Sequence, residues 1–208
     1  MIKRILLFLL LVILGVAGYV WYKFATAKGG GFEGEKAKKL EIKSSTPVFD
    51  GGMAAVMEAY YKLQDAFVNA DTAAAKTSCN TFIAAIDSVK TDELKKDTSG
   101  LITTVAPFLG DVKSNAVSLL QQTQLKEMRQ DFHQVNQQLY ALLKTINYKG
   151  STVYWQKCPM AFDGDKEAYW LDAKSGDGKM NPYLGKNDPK FGSGMLHCGE
   201  EMDSVVAK

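Results

Sequence analysis

The chain has 208 residues, 46% hydrophobic and 23% charged, with a formal net charge of +2. That length holds one membrane segment and one globular domain of about 150 residues. Lys alternates with Asp and Glu throughout, so the clustered basic face of a nucleic-acid binder is missing and that class is excluded.

From Ile5 to Tyr22 the chain is apolar and uncharged. About 18 residues at 1.5 Å rise cover roughly 27 Å, close to the thickness of a bilayer hydrocarbon core. Lys3 and Arg4 precede the run, and Tyr19, Trp21 and Tyr22 close it with the aromatics that favour the interface. A cleaved signal peptide is the rival reading, because Ala25-Thr26-Ala27 has the look of a cleavage site. The length of the run and its Trp-Tyr-Lys end favour a retained anchor over residues 1–28, with the domain on the periplasmic or extracytoplasmic side of the cell membrane. No cysteine precedes Cys79, which excludes an acylated lipoprotein N-terminus.

Residues 29–46, opening on Gly29-Gly30-Gly31, read as a flexible tether. Helical patterns follow over residues 47–149. In Met53–Ala70 the positions Met53, Val56, Met57, Tyr60, Leu63 and Phe67 mark one helix face. Asp71 is placed to cap a second helix, Thr72–Val89, whose stripe includes Cys79, Phe82 and Ile86. A less regular third helix is expected from about Asp92, broken at Gly100 and Pro107, with the pattern resuming over Val112–Leu120. The clearest helix is Leu125–Ile146, with Met128, Phe132, Val135, Leu139 and Leu142 on its apolar seam and His133 at its surface. Helices of these lengths on short loops predict a mainly α fold, an up-and-down four-helix bundle.

After Tyr148-Lys149-Gly150 the helical period disappears. Residues 150–208 read as a small loop-rich module with one short strand at Ser151–Trp155 and an aromatic core drawn from Trp155, Tyr169, Trp170, Tyr183 and Phe191. Two of its segments carry candidate chemistry, Cys158-Pro159-Met160 and Met195-Leu196-His197-Cys198-Gly199. Thiolate and thioether sulfurs are soft donors that select Cu(I) over hard cations, and imidazole also serves copper. Cys158, Met160, Met195, His197 and Cys198 are therefore the candidate metal ligands. A structural disulfide between Cys158 and Cys198 is the competing reading for an exported, loop-rich module. Asp163-Gly164-Asp165 and Asp172…Asp177-Gly178 lack the alternating oxygens and closing Glu of a calcium loop.

The order of motifs in this region resembles a bacterial envelope family, the one catalogued as domain of unknown function 3347. The resemblance rests on Tyr154-Trp155-Gln156-Lys157-Cys158-Pro159-Met160-Ala161, then Tyr169-Trp170-Leu171, Met180-Asn181-Pro182-Tyr183-Leu184-Gly185 and Met195-Leu196-His197-Cys198-Gly199. Upstream, Tyr60-Tyr61-Lys62-Leu63-Gln64-Asp65-Ala66-Phe67-Val68 and Arg129-Gln130-Asp131-Phe132 match its helical part, so the likeness spans Pro47 to Glu200. The chain departs from the pattern at Leu184, where an aromatic is usual, at His197, and in an insertion at Lys186–Gly194. What the resemblance implies is an exported domain without enzymatic activity, linked to the adaptor proteins of copper and silver efflux pumps.

The sequence thus points to a non-enzymatic, membrane-anchored envelope protein that binds copper or silver in homeostasis or efflux, with an efflux adaptor or another envelope protein as partner. The alternative is a non-catalytic interaction module in which Cys158 and Cys198 are a structural cross-link. An exported enzyme is the third class, and no phosphate loop, nucleophile elbow or carboxylate pair supports it.

Overall fold

The computed structural model describes residues 19, 45–96, 100–188 and 190–206. The expected anchor lies outside these residues except for Tyr19, as does nearly all of the expected tether. Among the described residues no helix is long and apolar enough to cross a membrane.

Four α-helices come first: α1 (Pro47–Val68), α2 (Thr72–Asp87), α3 (Leu101–Gln121) and α4 (Leu125–Thr145). Helix α1 begins six residues before Met53, because the Thr46 hydroxyl accepts the Phe49 N–H and Pro47 occupies the first turn, where its missing N–H costs nothing. Asp71 caps α2 as expected, its carboxylate accepting the Ala74 N–H at 2.9 Å. The irregular third helix resolves into a short 3-10 turn, Thr91–Lys96, and an unbroken α3. Pro107 lies inside α3 on its exposed side, so the carbonyl deprived of its partner faces water and the helix continues. Consecutive helices pack against each other along the chain.

The C-terminal region is more regular than its composition suggests. Strands β1 (Val153–Phe162), β2 (Lys166–Asp172) and β3 (Glu200–Val205) form an antiparallel sheet in the order β2-β1-β3. The single strand expected at Ser151–Trp155 is the beginning of β1. Asp163 and Gly164 both have positive φ, and the Asp165 N–H donates to the Phe162 carbonyl, so the segment compared with a calcium loop is a hairpin turn. Pro159 sits where the β1–β2 register shifts, a bulge that needs no N–H from it.

One continuous core joins helices and sheet, from Phe49 in α1 to Val205 in β3. Every predicted seam residue of α4 is buried, and Phe132 packs its ring 4.6 Å from Phe67 and 5.7 Å from Tyr60. Helix α4 also lies across the sheet. Tyr140 stacks on Trp155 at 4.3 Å, Trp155 on Tyr169 at 5.2 Å, and Tyr169 on His133 at 5.9 Å. His133 is therefore not a helix-surface residue; it is half-buried under β2, and its Nδ1 accepts the Tyr169 N–H at 3.1 Å.

Candidate functional site

The sheet face away from the aromatic stack carries Gln156 and Cys158 from β1, paired with Trp170 and Ala168 of β2. All four are fully buried. Cys158 therefore sits inside the core, two residues before the half-buried Met160.

Residues 180–199 bring Cys198 to it. Asp172, at the end of β2, is a buried carboxylate accepting from Gln64 Nε2, Trp170 Nε1 and the backbone N–H groups of Lys174 and Met180, at 3.0–3.2 Å. Four donors supply what water would otherwise provide. They tie α1, the sheet and the start of the loop to one point. Asn181 follows, with its side-chain oxygen accepting the N–H groups of Tyr183 and Leu184 and its side-chain nitrogen donating to the Cys198 carbonyl at 2.8 Å. Its own N–H donates to Leu196 at 2.7 Å. A Cβ on Gly199 would stand 2.5 Å from Trp170 Cη2, so this close approach of the loop to the indole requires glycine.

The outcome is a thiol pair. The Cys198 thiol lies beside the Cys158 thiol, close enough to act on it electrostatically, and the Asn181 side chain and the Met160 backbone approach the Cys158 sulfur. All three cysteines of the chain are free. Burial pushes the Cys158 thiol above its ordinary pKa, and the neighbouring Cys198 adds to the shift. Cys79 stands apart in α2, donates to the Ala116 carbonyl at 3.2 Å, and is pushed up to about 12 by burial.

The other candidate ligands are placed differently. Met160 lines an adjacent cavity, Met195 packs on the core edge, and exposed His197 has its Nδ1 2.8 Å from the Lys179 carbonyl. Among the described residues no group of three or more His, Cys, Asp or Glu gathers to hold a metal, so His197 does not join the two thiols in a three-donor set. Gln156, on the same strand face as Cys158, has neither amide atom hydrogen-bonded. Sequence reasoning missed Asp172, Asn181 and Gln156. A buried-carboxylate hub has no local signature, although Asn181-Pro182 is a recognisable turn signal.

Fold and site together define a mainly helical domain with a three-stranded antiparallel sheet, closed by an aromatic core around a dithiol. Residues 56–150 match the sequence model of the family described as "Protein of unknown function (DUF3347)", so that helical segment is similar to this family. The match ends at Gly150, before the strand that carries Cys158. No curated protein and no solved structure matches the chain.

Proposed function

We propose that this protein is an envelope domain, held at the cell membrane by Ile5–Tyr22, whose Cys158–Cys198 pair takes up a soft monovalent cation, Cu(I) or Ag(I). The observation that carries this reading is the juxtaposition of two thiols forty positions apart in the chain. Two thiolates suffice for a soft monovalent ion, which accepts low coordination numbers and prefers sulfur. Met160 and Met195 flank the pair in sequence and would supply its thioether donors, while His197 would contribute less. The orphaned amide of Gln156 on the same strand face is a further donor for an incoming cation. The helices, read as an up-and-down bundle, would form the rigid support on which an efflux adaptor or other envelope partner docks.

A second reading is supported by the burial of Cys158. A thiol held protonated inside a core is a reluctant ligand, and a Cys158–Cys198 cross-link would close the loop-rich segment over the sheet. The domain would then be a non-catalytic interaction module.

One experiment separates them. The full-length protein is reduced and titrated with Cu(I) against a chromophoric chelator, alongside Cys158→Ser, Cys198→Ser and a Met160→Leu/Met195→Leu double variant. One equivalent bound by the parent, lost in each Ser variant and weakened in the double Met variant, supports the metal reading. No uptake by the reduced parent, with Cys158 and Cys198 linked as isolated, leaves the cross-link.

A further inference from the structure

A cavity of about 600 Å³ opens between the start of α4, the β1–β2 hairpin and the loop around Leu184. Its wall sets Leu125, Met160, Phe162, Leu184 and Phe191 among charged side chains of both signs. Into this wall α4 sets Arg129, which is only 6% exposed. A guanidinium has five N–H donors. Among the described residues Arg129 makes one hydrogen bond, from Nη2 to the Phe67 carbonyl at 3.1 Å, and its buried Nε has no partner.

A buried cation left this short of acceptors is costly unless an anion completes it. None of the nearby carboxylates hydrogen-bonds Arg129, and Glu127, which lines the same cavity, has a buried oxygen that is also without a partner. Asp188 turns one oxygen to the N–H groups of Lys190 and Phe191, both at 2.9 Å, and Asp163 holds Lys126 at 2.7 Å. Burial pushes Arg129 down to about 10, with Asp188 only partly opposing the shift, so the side chain remains a cation at neutral pH.

We infer that this cavity binds a small carboxylic acid with an apolar body, its carboxylate on the Arg129 fork and its hydrocarbon against Leu125, Phe162 and Phe191. The volume lies within the usual range for small-molecule sites, whose specificity rests on a few placed polar groups beside apolar surface. The planar guanidinium matches a carboxylate in two parallel hydrogen bonds. Glu127, Asp163 and Asp188 also line the cavity but Lys126 and Lys190 offset them, so the preference for the acid over phosphate comes from the apolar part of the wall, which phosphate cannot use. The site shares Met160 with the proposed metal site, but neither thiol of the pair lines it.

The test is calorimetric titration of the full-length protein with octanoate and 4-phenylbutyrate, with their uncharged amides and with inorganic phosphate. At least one acid binds, its amide binds about tenfold or more weakly, and phosphate binds more weakly than the acid. Arg129→Lys keeps the charge but not the fork and weakens the acid about tenfold. Because a change at Arg129 can disturb folding, Leu125→Trp is the second variant: it fills the cavity from its half-buried edge, and it abolishes binding while the thermal transition stays cooperative. Cys158→Ser leaves acid binding unchanged, which separates this site from the proposed metal site. The inference is overturned if acid and amide bind alike, if neither acid binds at millimolar concentration, if phosphate binds best, or if Leu125→Trp leaves the affinity intact.

Discussion

The hydroxyl of Tyr60 accepts the backbone N–H of Leu171 at 3.0 Å, in a fully buried contact between the first helix and an edge strand. Strand β2 has β1 on one side only, so its other edge presents unpaired backbone groups. Tyr60 satisfies one of them and donates its proton to Asn136 of α4. Asn136 in turn donates to the Tyr183 hydroxyl, and Tyr183 donates to the Tyr169 carbonyl. A side-chain relay thus seals the sheet edge inside the core, and burial raises the pKa of both Tyr60 and Tyr183 well above the ordinary phenol value.

Tyr60→Phe keeps the ring and its packing on Phe132 but strands the Leu171 N–H and the Asn136 oxygen. Leaving two buried groups unsatisfied costs about 2–4 kcal/mol. Urea denaturation of the variant against the parent measures it. A difference under about 0.5 kcal/mol would mean the relay does not stabilise the fold.

Gly185 and Gly110 respond in opposite ways to alanine. A Cβ on Gly185 would meet the Val68 carbonyl oxygen at 2.1 Å, where the Lys186 N–H docks the loop onto the end of α1. Gly185→Ala therefore forces backbone apart and destabilises by about 1–3 kcal/mol. Gly110 lies on the exposed side of α3 with open space around it, so Gly110→Ala stabilises by about 0.5–1 kcal/mol. Thermal melts of the two variants should move to opposite sides of the parent.

His133 makes stability depend on pH. Burial lowers its pKa below 6.5 in the folded chain, with Glu167 pulling the other way, and the Tyr169 N–H requires an unprotonated Nδ1. The unfolded chain, with the ordinary value, binds the proton first as pH falls. The contribution is thus fully present above about pH 6.5 and is lost as pH falls through the lower folded value. Unfolding free energies between pH 7.5 and 5 should decline in the parent, and the decline should be shallower in His133→Gln. Parallel profiles would remove His133 as the cause.

The helices were legible because their signals are local. Asp71 as a cap, the α4 seam through Phe132, and Cys79 on the α2 stripe follow from a 3.6-residue period that each segment carries by itself. The extent of β1 was less legible. Lys157 and Pro159 interrupt its alternation, and the strand persists because β2 and β3 pair with it on both sides. The signal that was available is Asp163-Gly164, a dipeptide that turns a hairpin because both residues adopt positive φ.

By itself, then, the sequence determined which segments are helical, which side of each is apolar, and that Cys158 and Cys198 are the thiols worth bringing together. Only the tertiary structure decided that they lie as neighbours, that His197 stays apart from a three-donor set among the described residues, and that Arg129 ends in the wall of a cavity. Helix phase depends on neighbours three and four residues away. The thiol pair and the Arg129 cavity depend on contacts across 40 and more positions, held by Asp172, Asn181 and two glycines whose roles exist only where chain segments approach.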